Sequence, residues 1–303
     1  MKSALKFLTA VLPLVLVLEA HGAEKIRFVL VLPVYTDNKG AGLKQPEGVA
    51  CNDSSLVVVA DTANGRLVRY NFQENRTIQG GEEIRIPELV YPVHLQLNSK
   101  GEIYALDGKL HKIARIGPDG AFRGYVAPAG VPEPSAFFPV SFAVDRADNL
   151  YLLDVQGQRV LVLDPEGKYV DQIAFPKQYG FFLDLAVDAR GTVYLLDSVA
   201  AVVYSAIRNA KEFSPLTKEL KDDMHFPSNL AVDGSGTFYL VDQNGDGVSI
   251  VGPDGAFRGR QLAFGRREGL LDYPAQICVT SKGDAFLADR GNNRLQVFSL
   301  VKE

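Results

Sequence analysis

The sequence predicts an all-β protein in which one structural unit is repeated six times. Six aspartates recur at intervals of 43 to 47 residues, and each ends a short apolar run: Asp61, Asp107, Asp154, Asp197, Asp242 and Asp289. The segment GPDGAFRG occurs at residues 117–124 and again at residues 252–259, an offset of three repeat lengths. A fixed period of this length, with several strand-like runs in each copy, is typical of a propeller. Six copies predict a six-bladed β-propeller with four-stranded antiparallel blades.

The third unit shows the strand pattern most clearly. Apolar runs at residues 141–144, 150–153, 159–163 and 168–175 are separated by short segments rich in Asp, Asn, Gly and Pro. These residue types supply the backbone angles that hairpin turns require. The second run is apolar at successive positions, which indicates a strand buried on both faces between neighbouring blades.

The sixth unit predicts how the ring closes. The chain ends soon after its third strand at residues 294–300, so a fourth strand is missing there. Residues 25–34 form an apolar run that belongs to no unit. We expect this N-terminal strand to close the last blade as its outer strand, where Pro33 is tolerated and no sheet edge is left bare.

Two further features concern the inner strands and the connections. A compact residue recurs at one position of each first strand, as expected where strands converge on an axis: Ala50, Gln96, Ala143, Ala186, Ala231 and Cys278. Residues 127–138 are rich in proline and predict an extended loop. Residues 205–226 form a long charged insertion in unit four, in which residues 215–224 predict a short helix.

The first 23 residues have the composition of an export signal. Lys2 and Lys6 precede a mostly apolar stretch at residues 7–18, which is too short for a comfortable membrane span. Ala20 and Ala23 both suit the small-residue requirement for cleavage, and Ala23 is preferred because it leaves a polar start at Glu24. We therefore expect residues 1–23 to be a signal peptide, with an uncleaved anchor as the alternative.

The remaining chain, residues 24–303, is expected to be one propeller domain of a periplasmic or secreted, monomeric protein. The formal charge is −4 for the whole sequence and −5 without residues 1–23. A mildly acidic chain disfavours nucleic acid and anionic membranes as partners. No other run approaches the roughly 20 apolar residues of a membrane-spanning helix, so stable membrane insertion is not expected.

Cys51 and Cys278 fall in the first strands of units one and six. Ring closure makes these units neighbours, and an exported protein meets an oxidising compartment in which a disulfide persists. A disulfide that closes the ring is therefore one expectation. Two small buried thiols are the other, since free cysteine is often buried.

The units resemble the NHL repeat, whose pattern is roughly P-x-G-[VI]-A-[VC]-D-x-x-G-x-[VL]-[YV]-[VL]-[AL]-D-x-x-N-x-R-[VIL]-x-[VR]-[FY]. Unit one matches at Pro46, Gly48, Val49, Ala50, Ala60, Asp61, Asn64, Arg66, Leu67 and Tyr70. Unit six matches at Pro274, Ile277, Gly283, Ala288, Asp289, Asn292, Arg294, Leu295, Val297 and Phe298. Units two to five keep the core of the pattern, and unit four has neither the Asn nor the Arg. The resemblance implies a propeller, and its relatives include RNA and protein binders, scaffolds and a few enzymes.

The recurring Asp–Asn–Arg set is interpreted as structural, because a residue repeated around a ring seldom has one catalytic role. We expect Asp and Asn to cap a hairpin turn and Arg to brace a neighbouring blade. The aromatic residues before the proline that opens an inner strand are expected to pack between blades: Tyr91, Phe138, Phe226 and Tyr273.

A mostly polar ring follows the opening residue of each inner strand: Gly48, His94, Ser141, Asp184, Asn229 and Gln276. These positions, together with Glu47, are the candidate ligand site at the mouth of the central channel. Asp184 and His94 are the most chemically capable members and could face one another across the mouth. Channel polarity satisfied by water is the alternative.

Metal chemistry gives a second set of expectations. Peptidyl-hydroxyglycine lyases carry zinc-binding His directly after the opening proline, where this chain has Glu47, Val93, Val140, Leu183, Ser228 and Ala275. Resemblance to gluconolactonases implies instead a divalent ion, such as Ca²⁺, on Glu47, Asp184 and Asn229. The Asn falls one residue late for that motif, which turns a side chain to the other face of a strand. The segment at residues 242–247 mimics the start of a calcium loop, but Pro253 occupies the position that needs a carboxylate.

The sequence therefore favours a metal-free binding or scaffold module in the cell envelope, without a catalytic residue or cofactor. Its partner would be a protein, peptide or glycan that meets the loops around the channel mouth. The alternative is a divalent-metal-dependent hydrolase or lyase at the same mouth, of the gluconolactonase or peptidyl-hydroxyglycine lyase kind.

Overall fold

The computed structural model describes residues 25–133, 135–178 and 180–303, so the predicted signal peptide at residues 1–23 lies outside the described residues. Within the described ranges the backbone forms 24 strands, one 3₁₀ turn at Thr62–Asn64 and no α-helix. The strands make six antiparallel sheets of four strands each, which confirms the predicted architecture.

The strands follow the chain from the N-terminal β1 (Ile26–Val34) through six successive blades. Blade one contains β2 (Gly48–Cys51), β3 (Leu56–Asp61), β4 (Arg66–Phe72) and β5 (Ile78–Ile84). Blade two contains β6 (Pro92–Leu97), β7 (Ile103–Asp107), β8 (Lys112–Ile116) and β9 (Phe122–Tyr125). Blade three contains β10 (Pro139–Val144), β11 (Leu150–Asp154), β12 (Arg159–Leu163) and β13 (Tyr169–Ala174).

Blade four contains β14 (Phe182–Val187), β15 (Val193–Asp197), β16 (Val202–Ala206) and β17 (Ser214–Pro215). Blade five contains β18 (Pro227–Val232), β19 (Phe238–Asp242), β20 (Gly247–Val251) and β21 (Phe257–Gln261). Blade six contains β22 (Pro274–Val279), β23 (Asp284–Asp289) and β24 (Arg294–Lys302), and β1 completes it.

The N-terminal strand closes the ring as the sequence predicted. β1 pairs antiparallel with β24, from Ile26 opposite Lys302 to Val34 opposite Leu295. Blade six is thus built from both ends of the described chain, and β24 does not present a bare edge. Phe28 anchors the strand by edge-to-face contacts with Phe298 in blade six and Tyr239 in blade five.

Apolar packing is organised between blades rather than within one central core. Six buried clusters each combine residues of two neighbouring blades, one cluster for each junction of the ring. The second strand of each blade is almost completely buried, as expected for a strand covered on both faces.

The two ends of the propeller carry different loops. We call the end that bears the inter-blade connections and the turns between second and third strands the connection face. The other end, with the remaining turns, is the opposite face. Between the two faces, the channel contains a cavity of about 210 Å³ whose lining includes all six compact residues predicted for the inner strands: Ala50, Gln96, Ala143, Ala186, Ala231 and Cys278.

The predicted helix at residues 215–224 is absent. After β17, Leu216 and Thr217 donate backbone hydrogen bonds to Val203 of β16, so this segment continues alongside the blade. Leu220 and Met224 are buried at the junction of blades four and five. Two apolar side chains four residues apart that dock on the blades therefore resembled a helical pattern. The backbone makes a single turn, from Leu220 to Met224, and its preceding residues bond outward to the blade.

Candidate functional site

Six buried aspartates fix the loops of the connection face. Asp107 shows the arrangement: it accepts hydrogen bonds from the backbone of Val90 and Tyr91 before its inner strand, and of Lys109 and Leu110 in its own turn. Burial alone would raise the pKa of Asp107, but these four N–H groups hold that pKa below its usual range. Each aspartate thus ties a hairpin turn to the connection that enters the same blade, which supports the structural interpretation.

The arginines of the repeated motif bond to the same aspartates. Nε of Arg66, Arg159 and Arg294 donates to the aspartate of its own blade at 2.6, 3.0 and 2.7 Å. Arg294 also donates to the carbonyls of Arg267 and Leu270 at 2.8 Å each. The expectation that arginine braces the neighbouring blade therefore needs correction, because its partners lie in the connection between blades.

The predicted polar ring forms a continuous belt inside the channel. We call His94, Ser141, Asp184, Asn229 and Gln276 the polar belt; all five are only 2–8% exposed. A bulge follows the opening residue of each of their inner strands. Blade one has Gly48 at this position, where an added Cβ would lie 2.9 Å from Ala60, so a side chain does not fit.

Hydrogen bonds of the belt join one blade to another around the channel. The Ser141 hydroxyl donates to Asp184, whose other oxygen accepts from Asn229 Nδ2 at 2.7 Å and from the Leu230 backbone at 2.8 Å. Asn229 Oδ1 accepts from the Ile277 backbone at 3.0 Å. From blade three to blade six, a belt side chain at each junction is therefore hydrogen-bonded to the neighbouring blade.

Gln276 and His94 complete the circle. Gln276 Oε1 accepts from the backbones of Val49 and Leu95, at 3.0 and 3.1 Å, and so spans from blade six past blade one to blade two. His94 Nε2 lies 3.1 Å from the carbonyl of Phe142 in blade three, to which it donates. The belt thus joins the blades through the channel and leaves few of its polar atoms without a partner.

The two titratable members of the belt have shifted pKa values. Burial raises the pKa of Asp184, against the opposing influence of His94 and of its hydrogen bonds. Burial lowers the pKa of His94, although Asp184 acts in the other direction. Both shifts favour the neutral forms, as expected for ionisable groups removed from water.

His94 predicts a pH-dependent contribution to stability. Its folded-state pKa lies below the usual value of about 6.5, so its contribution is full above about pH 6.5 and is lost as the pH falls toward the folded-state pKa. Asp184 behaves oppositely: its contribution is full at low pH and is lost as the pH rises through its raised pKa. The pH profile of the wild type alone therefore does not isolate His94.

The comparison of wild type with His94→Gln isolates it. We expect the difference in free energy of unfolding between the two proteins to shrink from about pH 7.5 to pH 5, measured by urea unfolding at each pH. Each unit by which the folded and unfolded pKa values differ contributes about 1.4 kcal/mol. A constant difference over this range would show that folding does not change the pKa of His94, and a difference that grows as the pH falls would show that folding raises it.

The three candidate metal ligands are not gathered in one place. Asp184 and Asn229 bond to each other, whereas Glu47 lies 3.1 Å from Arg290 Nε and accepts from Tyr91 Oη at 3.2 Å. Burial raises the pKa of Glu47, and the charge of Arg290 and the hydrogen bond from Tyr91 partly offset this rise. In the described ranges, no group of three or more His, Cys, Asp or Glu has an arrangement that would hold a metal ion.

The segment that mimics a calcium loop is a hairpin turn between β19 and β20. Asp242 accepts from the backbones of His225, Phe226 and Gly245, and from Arg260 Nη1 at 3.1 Å. Arg260 comes from the outer strand of the blade and supplies the guanidinium that Gly247, at the usual arginine position, does not provide. Asp242 therefore has the same structural role as the other aspartates.

The connection face carries most of the exposed apolar side chains. Eleven large apolar side chains are exposed in the described part of the chain, and eight of them lie in loops of this face: Tyr35, Val90, Leu110, Phe138, Phe181, Val199, Phe264 and Tyr273. Of the other three, Val29 and Val170 lie on outer strands, and Ile207 lies in a turn of the opposite face.

This concentration corrects one expectation from the sequence. Phe138 and Tyr273 were expected to pack between blades, yet they are 36% and 40% exposed. Phe138 stacks on His111 of blade two, with ring centroids 4.1 Å apart, and its remaining surface faces solvent. The loop compositions could have predicted this exposed apolar surface. Turns of the opposite face are rich in Asp, Asn, Gly and Ser, whereas these loops contain Val, Leu and Phe.

The disulfide between Cys51 and Cys278 is formed, with the two Cα atoms 5.9 Å apart. It joins the inner strands of blades one and six beside the channel. Among the described residues, no helix has the length and apolar character needed to cross a membrane.

The sequence profile of the NHL repeat matches residues 271–298, so the chain contains an NHL repeat within a six-bladed propeller. A comparison with curated proteins gave no match. Among solved structures, the chain is similar to a gluconolactonase from Xanthomonas campestris at 14% identity and a TM-score of 0.66, over 91% of this chain and 90% of that one. It is similar to a virginiamycin B lyase from Staphylococcus aureus at 12% identity and a TM-score of 0.60, over 92% and 88% of the two chains. A streptogramin B lyase structure gives 12% identity and a TM-score of 0.62, over 92% and 98%. At these identities the likeness establishes a shared fold.

Proposed function

We propose that this propeller is a binding module that holds an apolar segment of a protein or peptide partner on its connection face. The observation that carries the proposal is the placement of eight of eleven exposed large apolar side chains on this one face. A face that exposes many large apolar side chains is a candidate interaction site. Aromatic anchors such as Phe138, Phe181 and Tyr273 favour a protein or peptide over a glycan of purely polar character.

The loops that carry these side chains are held in place before a partner arrives. The backbone of Phe138 donates to Asp154 at 2.9 Å, and the backbones of Phe181 and Val199 donate to Asp197 at 3.3 and 3.0 Å. Because the loops are already ordered, binding loses less conformational freedom than it would with mobile loops. A rigid scaffold with exposed anchors on its loops suits a recognition module.

The polar belt stays a predicted ligand site, but the connection face suits a partner better. Both oxygens of Asp184 and the Oδ1 atom of Asn229 already accept hydrogen bonds from neighbouring blades. A ligand at the belt would have to replace those bonds. Glu47, the remaining candidate, lies in a connection and belongs to the proposed binding face.

We further propose that the protein works as a monomer in the cell envelope, periplasmic or secreted. The composition of residues 1–23 and the disulfide between Cys51 and Cys278 support this location, because disulfides persist in oxidising compartments. Fractionation of cells that express the full chain tests it. Recovery of uncleaved protein in the cytosol would contradict the proposal.

A divalent-metal-dependent hydrolase or lyase is the second candidate function. The likeness to a gluconolactonase and to streptogramin B lyases supports it at the level of fold. The candidate ligands fit a metal poorly, since Asp184 uses both oxygens within the belt and Glu47 pairs with Arg290. Lactone hydrolysis that depends on added divalent ion and is lost in Glu47→Gln would favour this candidate over the binding module.

The binding function is tested with peptides selected on the immobilised protein from a random displayed library. We expect the selected peptides to be rich in apolar residues and to bind the Phe181→Ser/Val199→Ser variant at least tenfold more weakly, because truncated anchors at interfaces cost about 2 kcal/mol or more. Ile207→Ser is the matched control, since Ile207 is 72% exposed on the opposite face. Peptides that bind the double variant as well as the wild type, or that need Ile207, would refute this assignment of the face.

A further inference from the structure

Blade four lacks the arginine that neutralises the buried aspartate in most other blades. Five residues after the aspartate, blades one, three and six have Arg66, Arg159 and Arg294, whose Nε atoms donate to that carboxylate. Blade five uses Arg260 for the same purpose. In blade four the corresponding residue is Val202, and it contributes to the apolar cluster between blades three and four.

In blade four, hydrogen bonds from the described residues reach only one oxygen of the carboxylate. Asp197 is 2% exposed, and the hydrogen bonds that it accepts from described residues all end on Oδ1, from the backbones of Phe181, Val199 and Ala200 at 3.3, 3.0 and 3.0 Å. Oδ2 has no hydrogen-bond partner among the described residues. A Cβ at Gly180 would lie 2.6 Å from Oδ2 and 2.5 Å from the Phe182 ring, so only a glycine lets the connection pass this close to the carboxylate.

Blade two shows that the missing arginine is not sufficient by itself to leave an aspartate unsatisfied. Both oxygens of Asp107 accept two backbone hydrogen bonds each. Lys112, at the arginine position of blade two, does not pair with Asp107 and lies 4.9 Å from the ring centroid of Tyr125. A lysine at this position turns away from the carboxylate, whereas the arginines of three blades reach it.

Asp197 lines a cavity of about 490 Å³ on the connection face. The same cavity is lined by Phe181, Val199, Val202 and Tyr204, which form apolar walls, and by Thr217 of the segment after β17. Three more charged side chains lie at its rim, Lys218, Glu219 and Lys221, of which the last two pair at 3.0 Å. With Asp197 these four charges sum to zero, so the attraction for a cation comes from the buried carboxylate.

We propose that Asp197 and this cavity bind the guanidinium of an arginine side chain carried by the partner. The arginine would place an N–H on Asp197 Oδ2, as the chain's own arginines do in other blades. Its aliphatic stem would pack on Phe181 and Val199. The inference rests on the proposed binding function and names the group that the partner presents: an arginine beside apolar residues.

Arginine is favoured over lysine for two reasons. The guanidinium offers several N–H donors in a fixed plane and is less strongly hydrated than an ammonium group, which suits a buried carboxylate. In addition, the chain provides an internal comparison, because Arg66, Arg159 and Arg294 engage their aspartates while Lys112 does not. Exchange of arginine for lysine in the partner is therefore expected to weaken binding.

The test uses N-acetyl-arginine amide as the probe, with the lysine and citrulline analogues as matched probes, and saturation-transfer NMR on the mature protein. We expect saturable binding of the arginine probe, at least tenfold tighter than that of citrulline, which has the same shape without the charge. Asp197→Asn and Val202→Arg should each abolish it. Val202→Arg fills the cavity with the chain's own arginine and should raise the melting temperature, a readout that remains if Asp197→Asn fails to fold. Lys112→Arg in blade two is the control and should leave binding unchanged.

Equal binding of arginine and citrulline, retention of binding in Val202→Arg, or no saturation at tens of millimolar probe would overturn the proposal. These outcomes are separate from failure of the proposed function. The single amino-acid probe touches the apolar face only through Phe181 and Val199, and its binding is scored on the charge of the probe and on Asp197. The displayed peptides are scored on the loss of apolar side chains. Apolar peptides without arginine that bind the face would leave the binding function standing and remove this inference.

Discussion

Replacement of Asp184 by alanine is expected to lower the free energy of unfolding by about 3–5 kcal/mol, because it removes the acceptor on which three donors of the polar belt depend. The Ser141 hydroxyl, the Asn229 amide and the Leu230 backbone would lose their partner at a buried position. Each buried donor left unsatisfied costs about 1–3 kcal/mol, and local rearrangement recovers part of the sum. The chain has no tryptophan, so urea unfolding is best followed by circular dichroism.

Asp184→Asn is the matched variant for this prediction. The amide keeps the shape of the carboxylate and can still accept from Leu230 and Asn229 through its oxygen, while the rotatable Ser141 hydroxyl can accept from its nitrogen. We expect the loss for Asn to be less than half of that for Ala. Equal losses for the two variants, or a loss below about 1 kcal/mol for alanine, would mean that the belt adds little to the cohesion of the ring.

The repeat allowed most of the fold to be predicted, because every copy carries the same strand and turn pattern. The six aspartates marked the second strands, and the apolar run without a unit, residues 25–34, marked the closing strand β1. The helix predicted at residues 215–224 was wrong for a tertiary reason. The backbone N–H groups of Leu216 and Thr217 bond to Val203 of the neighbouring strand, which a local pattern of apolar residues does not show.

The candidate site was harder to predict, since it depends on contacts between blades. The positions of His94 and Asp184 followed from the repeat, but their hydrogen bonds depend on strand register and on bulges in the inner strands. The absence of the arginine in unit four was visible in the sequence. That this absence opens a cavity beside Asp197 depends on how Tyr204 and Thr217 pack, which the repeat pattern does not determine.

Removal of the disulfide by Cys51→Ala/Cys278→Ala is expected to lower the free energy of unfolding by about 3–5 kcal/mol. The bond closes a sequence separation of 227 residues, and chain-entropy treatment of so long a loop gives about 5 kcal/mol. The disulfide also acts at the point where the ring closes. There β1 completes the outer side of blade six, and the disulfide joins the inner strands of blades one and six.

A reductant provides the independent check on the disulfide. Wild-type protein in excess reductant should fall to the stability of the double variant, which itself should not respond to reductant. Because β1 and the disulfide close the same ring, weakening β1 by Phe28→Ala should cost more in the double variant than in the wild type, and this excess measures their coupling. Additive losses would show that the two closures act independently, and a reductant-insensitive wild type would show that the bond does not stabilise the ring.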